Sequence, residues 1–205
     1  MSRRVIDVSA LPVGTADSRS LIWWGNLAMM TIEGTMFAML IATYLYLRVA
    51  NLDWPPSTVR RPDLALPLVD LAILVLTALI MVAADRGARR ARLGLVQLCF
   101  AIGVVAGIAF LAIRWDNLAW IGFRWSDHAY GSIVWTMIGF HSFHMIAAVG
   151  ETALLLFYSF VRPVTKKQVL DFRCTAVYWY FVAITWIPLF ALIYVAPWLG
   201  RKVRM

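Results

Sequence analysis

Residues that hold metals are scarce in this chain. Of its 205 residues, two are cysteine and three are histidine. Cys99 and Cys174 lie far apart, with no C-x-x-C or C-x-x-x-C pair, which argues against a copper–thiolate or zinc centre. Three histidines are too few for a self-contained bis-haem or haem–copper centre, and one of them, His128, falls in a connecting segment. Charge is also thin, at 15% of residues against roughly 25% in an ordinary soluble domain. Residues 5–20 hold no continuous apolar stretch, so no cleavable signal peptide is expected and the first apolar run serves as the insertion signal. The formal net charge of +8 does not indicate nucleic acid. The Lys and Arg residues sit between and beside apolar runs, which is the pattern of headgroup contact and topology signals.

Apolar runs are what the chain has in abundance. Hydrophobic residues make up 62% of it, concentrated in stretches of the ~20 residues that cross a bilayer as a helix. The expectation is an all-α, polytopic membrane bundle of five transmembrane helices. A polar tail (1–20) precedes spans at about 21–47, 67–84, 93–113, 131–161 and 175–199, and a basic tail (200–205) ends the chain. Ser20 is placed to cap the first helix. Pro55-Pro56 forbids helix in the first loop. Residues 85–92 read as a basic turn, 162–174 as a second basic loop, and 114–130 as a Trp-rich segment at the headgroup level. Gly103 and Gly107 form a small-x-x-x-small face in span three, a packing signal and no more. Five spans put the termini on opposite sides, and a small excess of Lys and Arg on the first side leans toward a cytoplasmic N-terminus and an external C-terminus.

Within the runs, a few polar residues need explaining. His141 and His144 are three apart, on one helical face of span four, and Glu33 lies mid-run in span one. At about 1.5 Å rise per residue, all three fall near the bilayer midplane. Three readings compete: metal ligation, a proton relay that also uses Glu151, or a buried polar contact that fixes helix packing. The small number of ligands weighs against the first. Which imidazole Glu33 meets stays open. The aromatic run Tyr178-Trp179-Tyr180-Phe181 with Trp186 reads as bundle core and interface anchors. Arg86, Arg89, Arg90, Lys166 and Lys167 are candidates for lipid-headgroup contact.

Six short motifs, in order, carry a resemblance. They are Ile32-Glu33-Gly34-Thr35-Met36-Phe37; Trp54-Pro55-Pro56; Leu66-Pro67-Leu68-Val69-Asp70; Ser126-Asp127-His128-Ala129-Tyr130-Gly131-Ser132; Gly139 to Met145; and Tyr178-Trp179-Tyr180-Phe181-Val182 with Trp186. Together they resemble the cytochrome c oxidase subunit III (haem–copper oxidase) family, in a short five-helix form, from about Trp24 to Trp198. The third motif is similar to a P-L-L-N pattern and the fifth to G-F-H-G-x-H-V. Departures cluster in span five: Tyr180 stands where the family has His, Ala183 where it has Asp, and Arg173 where it has Glu. Asp116 is the candidate for the carboxylate of an outer-loop E-Y pair.

The resemblance implies an accessory subunit of a terminal oxidase in aerobic respiratory electron transport, not catalytic alone, in a bacterial inner (plasma) membrane. The haems and copper then belong to partner subunits, the catalytic subunit I and subunit II, with phospholipid bound to the chain. The complex reduces oxygen to water with proton translocation, and this chain supports proton uptake, oxygen access and turnover stability. A subunit III-like partner of a nitric oxide reductase and a stand-alone proton or small-solute conductor remain as alternatives.

Overall fold

A computed structural model describes residues 20–199, all of whose regular structure is helical. The helices are α1 (Leu21–Ala50), α2 (Ala65–Arg89), α3 (Leu93–Ala119), α4 (Ala129–Val161) and α5 (Lys166–Phe190). The last continues through a π-helical turn, Ala191–Val195, into Ala196–Leu199. All five are long and apolar enough to cross a membrane. The predicted tails, 1–20 and 200–205, lie outside the described residues except for Ser20.

Each helix outruns the apolar stretch that announced it, because hydrophobicity marks the bilayer while capping marks the helix. Ser20 accepts a hydrogen bond from the Trp23 N–H at 3.1 Å, so α1 starts where the sequence places it. At α5 a capping box sets the start instead. The Thr165 hydroxyl accepts from Gln168 N–H, and the Gln168 side chain accepts from Thr165 N–H. Helix therefore begins nine residues before the expected 175, and Lys166, Lys167 and Arg173 lie on it rather than in a loop. Likewise α2 runs on through Asp85, Arg86 and Arg89, leaving only residues 90–92 as a turn, with Ala91 at φ 52°. The expected Trp-rich surface segment from 114 is also revised: α3 continues to Ala119 and carries Arg114, Trp115 and Asp116.

Helix α5 is the hub, packed against α1, α2 and α4, while α3 closes the bundle between α2 and α4. Trp179, Trp186, Phe100, Phe110, Met81 and Met137 are fully enclosed. Pro188 lacks an N–H and so breaks the regular ladder inside α5. The π-helical turn follows within three residues, and the Tyr44 hydroxyl of α1 donates to its Leu192 carbonyl at 3.0 Å.

The Gly103–Gly107 face does pack closely. A Cβ at Gly107 would lie 2.3 Å from Val149 Cγ2 and 3.1 Å from Trp179, so α4 and α5 meet α3 there without slack. At Gly103 the obstacle is the flexible end of Met81. We expect Gly107→Val to destabilise the chain by about 1–3 kcal/mol through overpacking, read as a lower thermal unfolding midpoint in detergent. Gly94→Val, whose Cβ meets nothing within 4 Å, is the matched control.

Candidate intramembrane polar site

Two buried polar centres lie at different levels of the bundle. The first joins α1 to α4. Glu33 Oε2 lies 3.5 Å from His144 Nε2, with both side chains largely out of solvent. His144 Nδ1 is 2.7 Å from the Phe140 carbonyl, which can only accept, so Nδ1 carries a proton. Its Nε2 then faces a carboxylate, and the pair is attractive only if a further proton sits on one of them. At 3.5 Å Glu33 Oε2 makes no hydrogen bond to it. The phenol of Tyr178, from α5, is a second neighbour of the Glu33 carboxyl.

His141 does not reach Glu33. Its Nε2 donates to the Val182 carbonyl of α5 at 3.0 Å, and its Nδ1 has no hydrogen-bond partner. The ring lies 4.5 Å from Trp186, with Phe37 and Phe110 at 6.3 and 6.1 Å. Phe37 lies 5.0 Å from the His144 ring as well, and so borders both imidazoles.

The second centre is an ion pair. Arg114 Nε donates to Asp70 Oδ2 at 2.9 Å, and Nη2 makes a closer contact with the same oxygen. The side chains are only 2% and 1% exposed, so this pair is enclosed within the protein. The guanidinium lies 3.6 Å over the Trp186 ring and 4.6 Å from that of Phe110. Asp70 was expected at a helix entrance. Arg114, read as the first residue of a loop, is the site residue that the sequence reading missed. A lone carboxylate in span two and a lone guanidinium at the end of span three were the available signal.

The other motif residues shape the loops at this same end of the bundle. Trp54 stacks edge-on to Tyr44 and Tyr130, at 5.4 and 5.1 Å, and Pro55 behind it is buried. Asp127 Oδ2 accepts from the Arg124 N–H, and the His128 Nδ1 caps α4 by accepting from Gly131 N–H at 2.7 Å. Glycine is required at 131, where a Cβ would fall 2.5 Å from the Arg124 carbonyl oxygen. Gly139 has open space around it and stays outside both centres. Trp179 donates to Thr152 Oγ1 at 2.9 Å in the core. At the opposite end, Asp85 bridges Arg89 and Arg173, at 2.9 and 3.1 Å, and Arg173 also lies over Trp23. Arg86, Arg90, Lys166 and Lys167 are exposed around that end. Among the described residues, no cluster of three or more His, Cys, Asp or Glu has metal-binding geometry.

The model of the family described as cytochrome c oxidase subunit III matches residues 16–198. The chain belongs to the cytochrome c oxidase subunit III family. It is 31% identical over 175 residues to the "Probable cytochrome c oxidase subunit 3" of Nocardia farcinica (strain IFM 10152), covering 83% of this chain and 85% of that one. Against "Cytochrome c oxidase subunit 3" of Bacillus subtilis (strain 168), identity is 26% over 172 residues, covering 82% and 83%. The "Cytochrome bo(3) ubiquinol oxidase subunit 3" of Pseudomonas aeruginosa is 28% identical over 163 residues, covering 78% of this chain and 77% of its own. With its five apolar helices, this subunit III family member is an integral membrane protein.

Removing either half of the Asp70–Arg114 pair leaves an uncompensated charge in the core. Arg114→Met and Asp70→Leu are each expected to cost about 3–5 kcal/mol, measured as loss of folded yield and thermal midpoint in detergent. The double variant should recover most of that loss, giving a large coupling energy in the double-mutant cycle.

Proposed function

We propose that the chain is an accessory subunit of a haem–copper oxidase, carrying no haem or copper itself and packing against the catalytic subunit I and subunit II. The family match across residues 16–198 carries this reading. The redox chemistry then belongs to the partner subunits, where oxygen is reduced to water with proton translocation. Relatives named for both cytochrome c oxidase and ubiquinol oxidase leave the electron donor of the complex as a separate question.

In this reading the basic end of the bundle faces the cytoplasm of a bacterial cell, where Lys and Arg are retained and anionic headgroups attract them. Arg86, Arg90, Lys166 and Lys167 are exposed there and contact phospholipid. The Glu33–His144 pair is the proton-linked element. A carboxyl and an imidazole that share a proton in a low-dielectric setting sense the charge of the neighbouring subunit during turnover. The pair thereby supports proton uptake and protects the catalytic subunit as it works, and the apolar outer faces of the helices give oxygen a lipid-side approach.

The decisive measurement is a reduced-minus-oxidised spectrum of the affinity-purified chain in mild detergent. Co-purifying haem bands are expected, and their absence overturns the proposal. Glu33→Ala should assemble normally and start at wild-type rate, then inactivate after severalfold fewer turnovers. Failure of that variant to assemble would assign Glu33 to packing alone.

A further inference from the structure

Several polar groups between α4 and α5 remain unused by the contacts above. Asp171, Cys174, Thr175 and Tyr178 are spaced along α5 at intervals of three and four, so they share one face. Glu151 of α4 faces them: the Thr175 hydroxyl donates to Glu151 Oε1 at 2.7 Å. Asp171 and Cys174 are within electrostatic reach of Glu151, and Tyr178 is within reach of both Glu151 and Glu33. From Asp171 to Tyr178 the helix rises about 10 Å, and Glu151 with Thr175 stands midway. Thr175 is fully buried and Tyr178 is 5% exposed, whereas the Glu151 residue is exposed at the surface of the chain.

The outer end of this series opens to water. Asp171 lines a cleft of about 570 Å3 beside the α4–α5 loop, together with Arg162, Thr165, Lys167 and Gln168. Its inner end is closed. Phe37, 2% exposed, packs against the His144 ring, and the one hydrogen bond of neighbouring His141 goes to a backbone carbonyl. No hydrogen bond among the described residues joins His144 to His141. The Arg114–Asp70 pair lies beyond His141, against Trp186, with its charges already matched to each other.

We propose that Asp171, Glu151, Thr175 and Tyr178 form a one-sided proton route connecting the Glu33–His144 pair to water at the basic end of the bundle. It deepens the proton-linked reading of that pair and rests on it. A proton enters at Asp171 and passes to the Glu151 carboxylate. The Thr175 and Tyr178 hydroxyls each accept one proton and release another, and the proton comes to rest between Glu33 Oε2 and His144 Nε2. Nothing is oxidised or reduced, and the proton leaves by the same groups. The chain is therefore an exchange path with one mouth, not a transmembrane conductor.

Hydrogen–deuterium exchange of the Glu33 carboxyl tests this directly. The full chain in lipid nanodiscs is moved into D2O at acidic pH and its carboxyl C=O infrared band, assigned by its loss in Glu33→Gln, is followed in time. Tyr178→Phe and Glu151→Gln should each slow that exchange at least tenfold. Asp116→Asn, at the other end of the bundle, should leave it unchanged. If Glu33 exchanges at the wild-type rate in both variants, the route is wrong while the pair remains proton-linked. If Glu33 does not exchange even in the wild type, both readings fall. Should Tyr178→Phe not fold, Glu151→Gln decides alone, since that residue is exposed.

Discussion

A guanidinium enclosed in a membrane bundle requires a counter-ion, and the position of that counter-ion constrains the helices around it. Arg114 meets this condition through Asp70 of α2 while resting on Phe110 of its own helix and on Trp186 of α5. One side chain thereby ties α3 to α2 and α5. Sliding any of the three by a residue, about 1.5 Å along its axis and 100° around it, would strand a charge. The pair is weak evidence for net stability, since two well-packed apolar residues could fill its place. Its contribution is to register, because few other arrangements of these helices leave both charges paired.

With that register set, the rest of the polar interior follows. Trp186 is held between Arg114 and His141, and His141 is held by the Val182 carbonyl on the same helix as Trp186. That places α4 against α5, and His144 one turn further along α4 then points at α1. The pair it makes with Glu33 is longer and less enclosed than the Asp70–Arg114 pair. The contrast is physically sensible. A tight, fully buried ion pair fixes geometry, whereas the looser imidazole–carboxyl contact leaves Glu33 Oε2 without a hydrogen bond. The two polar centres thus differ in burial and closeness, the Asp70–Arg114 pair being the tighter and more enclosed.

How much of this was legible in the sequence depends on which physical signal each feature left. Apolar run length gave five spans, and three polar residues at matching depth gave the Glu33 and histidine neighbourhood. Helix ends were less visible, because a capping box at Thr165 and a run-on through Asp85 to Arg89 extend helix into polar sequence where hydropathy says nothing. Arg114 was misplaced for the same reason: a charge closing an apolar run looks like a loop residue until its partner across the bundle is known. Which histidine meets Glu33 depended on rotation about the α4 axis. Residues at i and i+3 differ by some 60° in direction, enough to send His141 to α5 and His144 to α1.

The departures in span five read differently once their neighbours are visible. At the position where the resemblance implies Glu, Arg173 binds Asp85 and covers Trp23, and so ties α5 to both α2 and α1. Tyr180, in place of His, lies within electrostatic reach of Asp85, Arg86 and Arg89, the same basic-end cluster. Ala183 is buried and apolar where the pattern has Asp. Charge on this side of the bundle gathers at the basic end of α5, around Asp85, Arg89 and Arg173, while Ala183 further along is apolar. Tyr178, Thr175 and Glu151 supply polar groups between α4 and α5 on this side of the bundle. Thr175 and Tyr178 lie on the face of α5 that leads toward Glu33, and Glu151 meets that face from α4.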